Sequence, residues 1–342
     1  MKKQNDKLIE MHSLGSNCNT NATRTIMQYY GYVLDEDVVF GLGSGLGFIY
    51  QYYSNNDSYF LSGKNESLEL NIATLFGGTV ISRSFDDLDR AWQEAKACVD
   101  MGIPIILDLS ITHLPYFGPY LEGIKNIGFG LHNAILVGYD EEEQTVMLLD
   151  HRWSKPQVVS MQAFRESRSI HNVEVNPRGA FRSFVLPPPP STIDDEIEYA
   201  LRLNISRLLN PFAFKMGLPG LKTFQREVGA ISQVGLNDDS RKAIGTFATL
   251  MEKLGTGGGN FRRMYSNFLK KISKIDRFSP LQQIGKQYSQ CAVLWKNLSI
   301  AMTDWSENDN AESAKRSCAV LDQLVRMECE CVEGIRTFLE QF

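Results

Sequence analysis

The sequence has no apolar stretch long enough to cross a bilayer. Its longest apolar runs, such as residues 103–109 with Pro104 inside, fall far short of the roughly 18 residues a spanning helix needs, so neither a membrane-spanning helix nor a membrane partner is expected. A secretory signal is missing too: residues 1–10 mix Lys, Gln, Asn and Asp with no apolar stretch behind them, and a cytoplasmic location is the expectation. Cysteine is sparse. The six cysteines stand at 18, 98, 291, 318, 329 and 331 without any CxxC spacing, which argues against a structural zinc site and leads to an expectation of reduced thiols and no metal. Cys329 and Cys331 fall two apart on a helical stretch, point in different directions, and read as structural. There is no excess of positive charge, since 35 basic against 40 acidic side chains give a net charge of -5. The aromatic residues also show no interleaved stacking pattern, so nucleic acid is not an expected partner.

What is present is an ordinary globular composition. With 342 residues, 43% hydrophobic and 22% charged, the chain is long enough for about two domains. Residues 1–190 carry 15 basic and 22 acidic groups, and residues 191–342 carry 20 and 18. The texture changes at Pro187, Pro188, Pro189 and Pro190. Four prolines in a row donate no backbone hydrogen bond and favour an extended conformation, so the domain border is placed there. Before it, periodicity predicts helices over 18–30, 68–76 and 86–101 and strands over 79–81, 103–109, 134–139, 145–149 and 181–186, with 140–144 as a hairpin turn. After it, helical periodicity covers 196–209, 217–232, 239–254, 261–275, 280–303 and 311–342. The expected fold class is therefore α+β followed by an α-helical domain.

One set of residues has the makings of a catalytic site. Cys18 follows small and polar residues at the start of the first predicted helix. Unpaired N–H groups and the helix dipole there lower a thiol's pKa and can hold an oxyanion. His132 opens the first strand of the predicted hairpin and Asp150 closes the second, so antiparallel pairing brings them within reach. Asp150 would then orient His132 through one ring nitrogen while the other faces Cys18. Taken alone, Cys18 is more simply a small buried hydrophobe; the ordered Cys, His, Asp set is what favours chemistry. His151 and His113 read as surface or packing residues, and the acidic residues 35–37 and 141–143 read as solvated loops.

The run Cys18-Asn19-Thr20-Asn21-Ala22, then Tyr30-Gly31, then Phe40-Gly41-Leu42-Gly43-Ser44-Gly45-Leu46-Gly47-Phe48 closely resembles the N-terminal domain of the butirosin biosynthesis H acyltransferase family. Residues 130–140 and 148–152 fit the same pattern, and 255–262 with Leu294-Trp295 resembles the helical domain that follows. The resemblance implies a papain-like cysteine peptidase core over 1–190, with a helical domain over 191–342 that covers the cleft or docks a carrier protein. It implies transfer of an acyl or peptidyl chain from a carrier-protein thioester, through acyl-Cys18, to a small amine such as a diamine or aminoglycoside in antibiotic biosynthesis. The phosphopantetheine arm is then a substrate, with no bound cofactor. Papain-like enzymes that form amide bonds in thiotemplated peptide pathways of the closthioamide kind resemble the chain as well, and a cysteine peptidase or amidase on the same core is the alternative. In this family a His usually precedes the nucleophile, where this chain has Asn17. His12, six residues before Cys18, stands at the spacing of the papain-like oxyanion side chain, so His12 and Asn17 are the oxyanion candidates.

Two glycine runs remain. Gly41 to Gly47 does not satisfy GxGxxG because position 46 is Leu, and it reads as a structural loop whose Gly43, Ser44 and Gly45 approach the substrate. Residues 255–259 lead into a helix with Arg262 and Arg263, and 262–286 hold seven basic groups against one acidic. Gly258, Gly259, Arg262 and Arg263 are thus candidates for the carrier's phosphate, against the plainer reading of a helix–helix turn.

Overall fold

The computed structural model describes residues 1–53, 58–121, 131–169, 176–253 and 256–341. Gly130, Leu254, Gly255 and Phe342, on which parts of the sequence reading fell, lie outside them. The chain forms two compact units, Met1–Glu36 with Phe76–Ser191, and Asp37–Leu75 with Thr192–Phe342.

The first unit is built on an antiparallel sheet. Its strands run in the order Thr79–Arg83, Phe181–Val185, Ile105–Leu109, His132–Asp140, Thr145–Leu149 and Gln157–Ser160, and Lys2–Gln4 adds to His132–Asp140. Side chains alternate across each strand. Leu107, Leu109, Ala134, Leu136, Val146 and Leu148 enter one core with Trp92, Tyr139, Phe164 and Phe181. Trp92 and Ala95 reach it from the helix Leu88–Asp100, which the Asp87 side chain caps and Gly102 ends at φ 70°. The helix Cys18–Tyr29 lies against the strands Ile105–Leu109 and His132–Asp140 and buries Ile26 and Met27 completely. The hairpin turn is held by Asp140, whose Oδ1 accepts the amides of Glu142 and Glu143 at 3.1 and 3.3 Å.

The second unit is mainly helical: Asp194–Leu209, Gly217–Val234, Asp238–Glu252, Arg262–Ile272, Leu281–Asn308 and Ala311–Leu339. It also holds the segment Asp37–Leu75, which the sequence reading assigned to the N-terminal domain. The reason is aromatic packing. The hairpin Leu46–Tyr53 with Ser58–Lys64 sets the Phe48 ring 5.8 Å from Trp295 and 5.8 Å from Phe224, and the Tyr50 ring 5.1 Å from Phe224. Large rings packed this way make a contribution that chain order does not reveal. The glycines at 41, 43, 45, 47 and 63 hid the hairpin itself, to which the sequence reading assigned no strand.

Candidate active site

The helix that carries Cys18 starts under tight control. Asn17, in extended conformation, caps it by accepting the amides of Asn19 and Thr20 on Oδ1 at 3.1 and 3.2 Å. The Glu36 carboxylate accepts the Ser16 amide at 2.8 Å, the Asn17 amide at 3.0 Å and the Thr20 hydroxyl at 2.7 Å. The Asn21 amide bonds the Asn17 carbonyl, which leaves the Cys18 amide as the first-turn N–H with no partner among the described residues. Glu36 is therefore a fixed part of this turn, not the solvated loop residue read from the sequence.

The hairpin register places Ile135 opposite Leu149, so Asp150 comes next to that pair on the face shared by Ala134 and His132. His132 Nε2 donates to Asp150 Oδ2 at 2.6 Å, with both side chains buried. The remaining ring nitrogen is left for Cys18, whose thiol lies close enough to His132 and to the backbone amide of Asn133 for both to favour its thiolate. Burial opposes a thiolate at Cys18, but the His132 charge and these contacts outweigh it and bring the thiol to about 7. Burial likewise opposes a charge on His132, and Asp150 and Cys18 together lift it to about 10. Asp150 stays well below the usual carboxylate range: burial would raise it, and the His132 charge with the His132 and His151 hydrogen bonds prevails. Near neutral pH the three groups favour a thiolate, an imidazolium and a carboxylate in line.

Several partners in this site had no sequence signal. His151, read from the sequence as surface or packing, is buried and places Nδ1 2.8 Å from the second Asp150 oxygen, Oδ1. The Tyr116 hydroxyl donates to Asp150 Oδ2 at 3.1 Å. The Phe117 ring stands edge-on to His132 at 4.9 Å and packs with Trp153 at 5.0 Å, while Tyr116 and Trp153 lie 4.8 Å apart. This aromatic wall keeps water from the His132–Asp150 bond and so strengthens it. Behind Cys18, Asn19 Nδ2 donates to Asn133 Oδ1 at 2.9 Å, and Asn133 Nδ2 donates to Asp108 Oδ1 at 2.7 Å. Arg182 in turn grips Asp108 with two bonds of 2.8 Å. Asp108 and Asn133 are cross-strand partners, a relation that shows only once the strand order is known.

Of the two oxyanion candidates, His12 occupies another role. His12 Nε2 lies 2.9 Å from the Trp153 carbonyl and 3.2 Å from that of Asp150, so it carries the proton. Its Nδ1 is buried without a partner among the described residues, and burial, with Arg24 nearby, holds its pKa below the ordinary histidine value. A neutral ring with its proton committed to carbonyls has none to give an oxyanion. Asn17 Oδ1 is spent on the cap and so helps to place the Cys18 amide, while the donor an oxyanion would need from this side chain is its Nδ2.

The glycine runs both need correcting. Gly43, Ser44 and Gly45 belong to the second unit and are buried in its packing. Ser44 Oγ donates to the Ala200 carbonyl, and the Ser44 carbonyl accepts from Asn65 and Asn204. A Cβ at Gly43 would stand 2.6 Å from Leu68, and one at Gly45 2.5 Å from Phe40, so these glycines permit close packing rather than substrate approach. Residues 43–45 make the structural turn between the helix Glu36–Leu42 and the strand Leu46–Tyr53, which take the two ends of the run. Arg262 is fully buried, bonded to Glu328 at 2.5 Å and to the carbonyls of Gly47, Gly63 and Asn260. The amides of Gly258 and Gly259 are taken by Thr256 and Glu252. A phosphate has no access to Arg262, and only Arg263 of that candidate set is exposed.

His132, Asp150 and His151 also offer ligand atoms within 4.8 Å of one another. Both Asp150 oxygens already accept a ring N–H at 2.6 and 2.8 Å, lengths that hold a proton between the atoms. Cys98, Cys291, Cys318, Cys329 and Cys331 are unbridged as well, and Cys291 and Cys331 are buried.

Fold and site together define an α+β protein with a thiol, an imidazole and a carboxylate aligned where a helix begins beside an antiparallel sheet. Residues 17–151 match the family described as butirosin biosynthesis protein H, N-terminal, and residues 167–335 match a domain of unknown function (DUF4872). The chain thus carries an N-terminal domain of the butirosin biosynthesis protein H kind, followed by this second, helical domain. No curated protein matches it.

Proposed function

We propose that this protein is an amide-forming acyltransferase in antibiotic-type biosynthesis, working through an acyl-Cys18 intermediate on a papain-like core. The observation that supports it most is the alignment of Cys18, His132 and Asp150, with Cys18 at the first position of a helix. The family description points to the same kind of pathway.

The chemistry follows from proton positions. The Cys18 thiolate attacks a thioester carbonyl, and the Cys18 amide, which has no partner among the described residues, donates to the oxygen as it takes charge. The His132 imidazolium gives its proton to the departing thiol, leaving acyl-Cys18 and a neutral ring. An amine then attacks the acyl carbon, His132 takes a proton from the attacking nitrogen, and the C–S bond breaks to restore the thiolate–imidazolium pair. Asp150 holds the ring throughout and stabilises its charged form. Exchange between thioesters is near thermoneutral, so no nucleotide is needed. The acyl donor in this reading is the phosphopantetheine arm of an acyl or peptidyl carrier protein, and the acceptor a diamine or aminoglycoside.

The test is to supply a carrier-protein thioester with a panel of amines, beside a fluorogenic peptide panel. Amide product that requires Cys18 is expected. Peptide cleavage that requires Cys18, with no amide formed, would replace this reading by a hydrolase on the same residues.

A further inference from the structure

Asp150 binds two histidines, one on each oxygen, and only one of them has work in the cycle above. His132 sits on Oδ2 and His151 on Oδ1, with their ring centres 5.8 Å apart and tilted by 49°. Because Nδ1 of His151 is committed to the carboxylate, Nε2 bears the lone pair, and it has no hydrogen-bond partner among the described residues. His151 also lies close enough to Cys18 for a charge on its ring to be felt at the thiol.

Proton counting shows what is missing. An alkylamine at neutral pH is an ammonium ion and must lose two protons to become an amide nitrogen. His132 can take one, because it gave one up when the thiol left. Resting on the acyltransferase reading, we propose that His151 is the second base, taking from the incoming ammonium the proton that must leave before attack. In balance, Nε2 of His151 takes a proton from R–NH3+, and the free amine forms the C–N bond as the C–S bond of acyl-Cys18 breaks. The second nitrogen proton goes to His132, and the His151 imidazolium returns its proton to water. The products are the amide, the Cys18 thiolate beside the His132 imidazolium, and one proton released. The ionisable groups around His151 are Asp150, His132, Cys18 and the Asp150 partner Tyr116, with His12 behind the Asp150 carbonyl. The Asp150 charge favours a cation at the His132 ring.

A two-amine comparison with His151→Asn tests this. Asn keeps a donor for Asp150 Oδ1 but carries no base. Acyl-Cys18 is formed with an N-acetylcysteamine thioester and then offered putrescine, an ammonium at pH 7, or hydroxylamine, which is neutral there. The variant is expected to lose about 30-fold or more of its putrescine rate relative to its hydroxylamine rate, on the scale of general base catalysis. Raising the pH should recover the putrescine rate. Equal loss with both amines would make His151 a positioning residue that only orients Asp150, and equal retention would remove it from the reaction; either overturns the proposal. A second variant, His151→Gln, likewise keeps a side-chain donor and carries no base; it should show the same selective loss, and an equal loss with both amines there would also overturn the proposal. Absence of acyl-Cys18 in wild-type protein would instead overturn the underlying acyltransferase reading.

Discussion

Asn19 donates to Asn133 at 2.9 Å, so the residue after the proposed nucleophile is tied to the residue after its proposed base. The pair fixes the start of the helix against the start of the strand, and Asp108 with Arg182 fixes Asn133 from behind. A bond of this kind sets the reach between Cys18 and His132 without touching the reacting atoms.

Asn19→Ala should therefore do two things at once. It strands the Asn133 oxygen in a buried position, a loss of about 1–3 kcal/mol that urea unfolding would register. It should also slow Cys18 acylation by roughly tenfold or more, since small misplacements of a nucleophile are costly. Full acylation at the lower stability would show that the pair holds the fold and not the site.

The paired titration of Cys18 and His132 gives a pH prediction. The thiolate forms as pH rises through about 7, and the imidazolium is lost as it rises through about 10, so acyl transfer should follow a bell with limbs near those values. Alkylation of Cys18 by iodoacetamide should share the lower limb. His132→Ala removes the group that lowers the thiol, and that limb should move upward by a unit or more. For stability the signs differ. The lowered Cys18 pKa contributes stability that is present at high pH and lost as pH falls through about 7, whereas the raised His132 pKa contributes stability present below the ordinary histidine range and lost as pH rises through about 10. An unfolding series from pH 5 to 11 would separate these two slopes.

Arg262 and Arg263 should behave as opposites although they are neighbours. Removing Arg262 leaves Glu328 as an unpaired buried charge, where it also accepts the Trp295 indole N–H at 2.9 Å. The expected loss for Arg262→Ala is about 3–5 kcal/mol, seen as a fall in Tm or in soluble yield. Arg263→Ala, at an exposed position, should stay within about 0.5 kcal/mol of the wild type. Equal melting of the two variants would contradict the buried-pair role.

The sequence was most legible where periodicity and punctuation agree. The helix after Asn17, the strands around the 140–144 turn and the six helices beyond the prolines all carry a repeating pattern closed by a cap, a glycine or a polar turn. From the hairpin register the approach of His132 to Asp150 followed directly, because pairing rules fix which side chains share a face. What stayed hidden depended on contacts distant in sequence. Glu36 bonds the Ser16 and Asn17 amides from 20 and 19 residues away, and Asp108 meets Asn133 across a strand pair. Charge counting misled for Arg262, since a basic run looks alike whether it meets solvent or a buried Glu328. The Gly41 to Gly47 run resembled a ligand loop because close packing and close ligand approach both call for glycine.

The most direct measurement is the intact mass of the protein after incubation with an acyl-carrier-protein thioester and no amine. A gain equal to the acyl group, absent in Cys18→Ala and discharged by added amine as an amide, is the predicted result. An unchanged mass across several acyl chains, or an adduct that persists in Cys18→Ala, would contradict acyl transfer through this thiol.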